Sequence, residues 1–378
     1  MIQRAHKTKL LPKAKQAIML QWIVDACLCF WNWSIERCKK AHMNKEKTPT
    51  AYGLRSEWKN NKPQWFIDRG IASVCIYSVF FHVYAAYLRF FDRLSKLPPG
   101  FRKKGSVRSF TVAGDKTKVV GNKIRIPGIG YIKMAEPLRF EKAKLNSCTV
   151  SIEPDGWYVS IQCEISDDIP TPPESVVGVD VGIKCWAIAS DETKLELPKR
   201  LKHLRRILAK KQRLLSRKQK GSHNYLKAIN KIARIHQTIR RISQDAIHKF
   251  TTTLAKNHSV IVVEDLNVRG MQESRNRGIR RGINYSEMSA IIDLLEYKAK
   301  RLVKVPRFYP SSKACSNCGN VKEDLTLSDR TYVCEACGFT LDRDLNASLN
   351  IRKKGLEIIA EGHSESLNDR EVERHGDR

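Results

Sequence analysis

The sequence predicts an α/β chain with additional all-α and all-β parts, arranged as two lobes. Three observations carry that expectation. Two β-branched runs, over residues 176–181 and 259–264, read as buried strands, and each holds a carboxylate at its end. Two Cys-x-x-Cys pairs stand just ahead of a third acidic segment, Asp342-Arg-Asp344, placed where a helix should start. Before all of these, residues 109–165 break into short alternating segments separated by turns, the pattern of a small barrel.

The stretch Ser175-Val-Val-Gly-Val-Asp180-Val-Gly182-Ile-Lys184-Cys-Trp-Ala-Ile-Ala189 organises the second half. Gly182 and Lys184 suit the loop of a hairpin between two antiparallel strands. A carboxylate inside such a strand is costly unless it is paired or bound to a cation, although an Asp on an edge strand can simply be solvated. The chain offers Asp180 partners in Glu264, which ends the second run, and in Asp342 or Asp344. One Asp at a helix start is ordinarily a cap, but three separated acids are harder to dismiss. Oxygen ligands suit hard cations, and two ions about 4 Å apart stabilise both the attacking and leaving oxygens of phosphoryl transfer. Carboxylates gathered this way repel one another without metal, which argues for Mg²⁺, with Mn²⁺ as the alternative ion.

Gly178-Val-Asp180-Val-Gly182, Val262-Val-Glu264-Asp265-Leu and Asp342-Arg-Asp344-Leu-Asn346-Ala resemble the three segments of a RuvC-type, RNase H-like nuclease. With the Cys pairs ahead of the third segment, the chain resembles the TnpB (OrfB) family of transposon-associated RNA-guided DNA endonucleases, relatives of the compact type V CRISPR effectors. The resemblance runs from about residue 5 to about residue 355 and is most specific over 310–351. It implies that Asp180, Glu264 and Asp344 hold the catalytic ions. Asp342 is left as a cap or an assisting acid, and Asp265 as a residue behind the ligands or a turn former, not a primary ligand. The implied partners are a guide RNA and a double-stranded DNA target beside a short duplex motif, with base pairing supplying sequence specificity. The implied domains are a β-barrel (1–11 and 98–167), a helical recognition domain (12–97), the nuclease (168–308 and 340–355) and a zinc ribbon (309–339). A guide-dependent DNA-binding repressor is the alternative; lost acids would mark it, and here all three are present. A junction resolvase of the same fold would work without a discrete bound RNA. A basic zinc-ribbon protein would account for the charge and the Cys pairs, but not for the acidic strands.

Composition points the same way. Lys and Arg number 69 against 39 acids, a net charge of +30 with pI near 9.8, which suits a polyanionic partner. The length of 378 residues allows two or three domains. Met1 to Lys9 is polar and basic, unlike a signal peptide, and seven of the eleven Cys follow no pairing pattern. A reducing, cytoplasmic and nucleoid-associated prokaryotic setting is expected. Residues 71–88 approach a membrane span in length, but Val74, Ser78, Phe81, Ala85 and Leu88 recur at helical spacing, so a buried helix and no membrane is the expectation.

In chain order, residues 7–11 read as a short basic strand, and Pro12 suits the first turn of a helix. Ile18, Trp22, Ala26, Cys29 and Trp33 then form an apolar stripe, with the Trp residues expected in a core. Residues 45–70 carry Pro49, Gly53, Pro63 and Gly70 and read as loops around short helices. Strands are expected over 109–112, 118–120, 123–126, 130–134, 147–153 and 156–165, the last two joined by a Pro154-Asp-Gly156 turn. Residues 169–173 read as the linker into the second lobe.

Leu201, Leu204, Leu208 and Leu215, then Ile232, Ile235, Ile239 and Ile242, mark an αα-hairpin broken at Gly221-Ser222. No acid occurs between 199 and 220, so its cationic faces suit phosphate contacts. Residues 267–281 are polar, basic and Gly-containing, and read as a mobile loop near the site that gates substrate. The family pattern places a Trp-containing helix after this loop, and residues 285–301 contain no Trp, although Leu295-Glu-Tyr-Lys-Ala299 does match.

Cys315, Cys318, Cys334 and Cys337 form two knuckles with 15 residues between them, which fits a structural Zn²⁺ held by four thiolates with no open position. Gly319 and Gly338 each follow a knuckle, where a tight turn aims backbone N–H groups at sulfur. Residues 356–378 are expected to be a disordered tail.

Overall fold

A ten-residue strand opens the chain and joins two sets of antiparallel partners. The computed structural model describes residues 2–140, 143–165, 172–273, 276–326 and 329–362. It divides into two compact units, Met1–Asp168 and Ile169–Arg378.

In the first unit, β1 (Ile2–Leu11) leads into α1 (Ala14–Met43), α2 (Ala51–Asn60), α3 (Gln64–Asp68) and α4 (Tyr77–Phe91). Six strands follow: β2 (Ser109–Ala113), β3 (Lys118–Val120), β4 (Lys123–Ile126), β5 (Gly130–Met134), β6 (Lys144–Glu153) and β7 (Gly156–Ile165). The sheet order is β2-β6-β7-β1-β5-β4-β3. β1 pairs with β7 from Ile2 to Lys9 and then passes to β5 through Leu10 and Leu11. Alternation explains the strands: Cys148 and Val150 in β6, and Val159, Ile161 and Cys163 in β7, all face inward and are fully buried. The ladder has two ends, β2 and β3.

The helices and the sheet of this unit share one apolar core, in which Phe30, Trp58, Phe66 and Phe80 meet Phe110, Val150 and Ile161. The helical faces differ from those expected. On α1 the buried side chains include Leu20, Ile23, Val24, Ala26, Cys27, Phe30, Trp31, Ile35 and Cys38, while Ile18 and Cys29 are exposed and Trp22 and Trp33 pack half-buried against the core as expected. On α4 Val79, Phe80, Val83 and Tyr87 are buried, and Phe81, Ala85 and Leu88 face outward. Both helices are apolar on several faces, so a 3.6-residue period fits more than one stripe. By length and apolarity the segments Ala14–Met43 and Ser73–Phe91 could cross a membrane, yet both supply side chains to this core.

The second unit is built on β8 (Val176–Asp180), β9 (Cys185–Ala189), β10 (Lys194–Glu196), α5 (Lys199–Ser216), α6 (His223–Asn257) and β11 (Val260–Glu264). It continues through α7 (Val268–Gln272), α8 (Arg277–Ser286), α9 (Met288–Lys298), β12 (Arg301–Val305), β13 (Thr331–Val333), β14 (Thr340–Asp342) and α10 (Arg343–Ala360). Its main sheet runs β10-β9-β8-β11-β12. The expected β8–β9 hairpin is antiparallel, whereas β8–β11 and β11–β12 are parallel. Ser175 and Ser259 set the parallel register: the Ser259 hydroxyl donates to Ser175 O and accepts from Ser175 N, both at 3.2 Å.

One face of the sheet packs Val177, Val179, Ile261 and Val263 against α6 and α9 through Ile247, Phe250, Leu254, Ile291 and Leu295. The opposite face sets Val262, Val303 and Val305 against Ile351 of α10. The αα-hairpin forms as α5 and α6, but of its two stripes only Leu201 and Ile232 are buried, Leu201 completely.

Residues 267–281, expected as a mobile loop, instead contribute α7 and the start of α8. The Asn267 side chain accepts from Gly270 N at 3.0 Å and caps α7, and Val268 and Ile283 anchor the segment in the core. The helix α10 extends to Ala360, so residues 356–360 are helical and not tail; the remainder of the expected tail, 363–378, lies outside the described residues, as do 166–171 of the linker region.

Gly178 and Gly355 let α10 lie against the sheet. A Cβ on Gly178 would come within 2.2 Å of Ser348 O and 2.5 Å of Arg352 N, and one on Gly355 within 2.4 Å of Val262. Glycine inside a strand marks such a close approach of another backbone. Gly178→Ala is therefore expected to lower unfolding stability by about 1–3 kcal/mol, the usual cost of overpacking. Chemical unfolding of the full chain, followed by circular dichroism, measures it.

Candidate active site

Asp180 and Glu264 are the last residues of adjacent parallel strands, one step beyond the paired Val179 and Val263. Both carboxylates therefore leave the sheet at the same end, the end where open α/β sheets place their ligands. Asp344 occupies the first turn of α10, which packs on β8.

Glu264 and Asp344 lie near enough to Asp180 for their charges to bear on it. Asp180 is pushed up to about 8, first by burial and then by the negative charges of Glu264 and Asp344, with Arg343 opposing. Glu264 is raised by burial, an effect reduced by a hydrogen bond that it accepts from the Ser311 hydroxyl. Asp344 Oδ1 accepts from Arg343 Nε at 3.3 Å and Nη2 at 3.2 Å, and Arg330 Nη1 lies 3.9 Å from its other oxygen.

The neighbouring acids have separate work. Asp342 Oδ1 accepts from Asp344 N at 3.0 Å and Leu345 N at 3.1 Å, so this residue caps α10. Asp265 is engaged by Arg307, through Nη2 at 2.7 Å and through its carbonyl at 3.1 Å.

The four Cys come together. Their sulfurs all lie within 4.8 Å of one another, with Cys315–Cys337 at 3.7 Å and Cys318–Cys334 at 3.6 Å. Those separations are far beyond a disulfide and match the edge of a tetrahedron with Zn–S bonds of about 2.3 Å, roughly 3.8 Å. Each knuckle is closed in the same way: Cys315 N donates to Asn320 O and Cys334 N to Phe339 O, both at 2.8 Å. Gly319 and Gly338 take the left-handed φ of 80° and 69° that these turns require. The Phe339 N–H and the Asn317 amide lower the Cys337 thiol, while the neighbouring sulfurs raise Cys318, so the thiols titrate as one cluster in which charge is shared. Among the described residues this is the tightest set of metal donors. The three carboxylates are more loosely gathered, and as hard oxygen donors that repel one another they suit divalent cations.

Sequence comparison then places the chain. A putative RNA-guided DNA endonuclease of Streptomyces pristinaespiralis is 32% identical, over 96% of this chain and 91% of that protein. The chain belongs to the TnpB (OrfB) family. A second TnpB relative, the putative RNA-guided DNA endonuclease InsQ of Escherichia coli K12, is 31% identical over 95% of this chain and 94% of its own length. Family models match residues 160–275 as a probable transposase, 289–351 as a Cas12f1-like TNB domain and 1–47 as a helix-turn-helix domain. In this TnpB chain that last segment is the strand β1 followed by the single helix α1. A cryo-EM structure of a Cas12f1–sgRNA–target DNA complex aligns with a TM-score of 0.49 at 14% identity, covering 93% of this chain and 98% of that one.

Some site residues escape a reading of the sequence alone. Ser311 reaches Glu264 from 47 residues away, and Arg343, set between two acids, also bonds Thr326 O at 3.2 Å. Asn346 and Asn350 are both buried and lie four apart on α10; Asn346 belongs to the third acidic segment, whereas for Asn350 that spacing, which puts two amides on one helix face, is the local signal.

Two outcomes are expected. First, an acid whose folded-state pKa lies above its unfolded value costs stability as pH rises, so the metal-free chain should weaken between about pH 4 and pH 8. Asp180→Asn should raise the metal-free Tm at pH 8 and flatten that profile, whereas millimolar Mg²⁺ should raise the Tm of the wild-type chain only; thermal scans across pH check both. Second, Cys334→Ser should abolish zinc retention, read by elemental analysis against about one zinc per wild-type chain.

Proposed function

We propose that this chain is an RNA-guided DNA endonuclease that hydrolyses target phosphodiesters at a RuvC-type two-metal site. The observation that carries the reading is the shared electrostatic space of Asp180, Glu264 and Asp344, delivered by two parallel strand ends and a helix start. These three side chains would hold the divalent ions. When bound, such ions supply Lewis-acid stabilisation of the attacking and leaving oxygens. The protein's part is to hold three anionic ligands on rigid elements. Arg343 balances the charge of Asp344 until metal arrives.

The remaining parts support the same function. From residue 197 to residue 244 the chain has no acid, and its 16 Lys and Arg lie on α5, the turn after it and the first part of α6, a surface suited to phosphate backbones. The S. pristinaespiralis and E. coli relatives carry the name RNA-guided DNA endonuclease, which brings a guide RNA and a double-stranded DNA target as partners. In this reading, residues 1–11 and 98–167 form a barrel-like platform, 12–97 a recognition helical part, and 168–308 with 340–355 the nuclease. Residues 309–339 form a ribbon whose Cys315, Cys318, Cys334 and Cys337 hold a structural Zn²⁺.

The test is cleavage by the chain purified with the RNA expressed from its own locus, on DNA complementary to that RNA. Wild type is expected to cut in Mg²⁺ and not in EDTA. Asp180→Ala should lose about three orders of magnitude in rate, roughly 4 kcal/mol of transition-state stabilisation, while keeping RNA-dependent DNA binding. Equal cutting by Asp180→Ala removes this site from the reaction. A wild-type chain that binds its target and never cuts supports a repressor instead.

A further inference from the structure

Ser311 sits on the segment that leads from β12 into the first Cys knuckle. Its side chain is buried, 4% exposed, and its hydroxyl donates to Glu264 Oε1. A carboxylate at the end of a strand can turn about its side-chain torsions, and one fixed donor on one oxygen limits that turning and leaves the second oxygen for a ligand.

What fixes Ser311 lies on another element. Asn350 Nδ2 donates to Ser311 O at 2.8 Å and to Ala314 O at 2.7 Å. Asn346 Nδ2 donates to the same Ala314 carbonyl at 2.7 Å, and its Oδ1 accepts from Ser316 N at 2.9 Å. Asn346 and Asn350 are 0% and 2% exposed and have no water to turn to, so these bonds are obligatory. The two amides grip the chain on both sides of Cys315, from the same helix that starts with Asp344. The Cys ribbon, the third acid and the orienting donor of the second acid are thus one connected piece.

We propose that Ser311 is a positioning residue for Glu264, and that the Asn346–Asn350 grip on the Cys315 knuckle sets where Ser311 stands. This rests on the nuclease reading given above. The hydroxyl does not touch the reacting phosphate; it holds the Glu264 carboxylate in the orientation that receives the ion. Folding of the thiolate ribbon then reaches the nuclease site by two routes, through α10 to Asp344 and through Ser311 to Glu264.

The experiment measures target cleavage by the full chain with its co-purified RNA as a function of Mg²⁺ concentration. The proteins are wild type, Ser311→Ala, Ser311→Thr and Glu264→Gln. Ser311→Ala is expected to need about 10–100-fold more Mg²⁺ for half-maximal rate, the usual scale for losing an outer-shell partner of a metal ligand. Its zinc content and RNA-dependent DNA affinity should match wild type, which a general folding defect would not allow. Ser311→Thr keeps the hydroxyl and should shift less. A Ser311→Ala protein with wild-type Mg²⁺ dependence overturns the proposal, as does a Thr variant shifted as far as the Ala variant. Glu264→Gln separates the two levels. If it is inactive while Ser311→Ala behaves as wild type, only the role of Ser311 fails; if it cuts normally, the nuclease reading itself fails.

Discussion

The second unit depends on how closely α10 approaches β8. A helix backbone rests on a strand backbone with no side chain between them, because Gly178 presents only hydrogen where any Cβ would collide with Ser348 O. Packing of this kind has no slack, since interiors are filled as densely as molecular crystals. The strand carries Asp180 at its end and the helix carries Asp344 at its start, so a contact with no polar chemistry of its own brings two anions into one space. The third, Glu264, arrives through the parallel register of β8 and β11.

That arrangement sets protein stability against function. The charges of Glu264 and Asp344 add to the cost that burial already puts on ionising Asp180. The fold contains the repulsion with Arg343, Arg330 and the Ser311 hydroxyl, and with rigid elements that cannot splay to relieve it. The chain is otherwise strongly basic, and this small anionic centre stands out within it. Long basic surface such as that of α5 and α6 attracts a polyanion without reading it, whereas the acids need cations between themselves and any phosphate. Under the proposed function, binding and chemistry fall to opposite signs of charge on different elements.

Much of this was legible in the residues. The seven strands of the first unit follow from alternation and from turn residues, and the Asp180 hairpin from a β-branched run broken at Gly182. The four Cys declare themselves by spacing, and the sulfurs meet as spacing requires. The burial faces of α1 and α4 were not legible, because Trp, Phe, Cys and Val occur on several sides of both helices and only the partner surface selects among them. The helices α7 and α8 were hidden by polar composition, their anchors being as sparse as Val268 and Ile283. The resemblance alone separates Asp344 from Asp342 in the sequence; the coordinates add that capping bonds engage Asp342, while the charge of Asp344 bears on Asp180. Ser311 and Asn350 act through bonds to residues distant in sequence, which no local pattern can encode.

Asp342 has one more property. It is at once the last residue of β14 and the cap of α10, so the passage from the Cys-bearing segment to that helix contains no joint. Arg343, the next residue, is bonded back to the ribbon through Thr326 O and its own N–H to Arg330 O. A lever welded to its axle transmits torque without play. Displacement of the Cys-bearing segment is in this way coupled to the first coil of α10, where Asp344 stands.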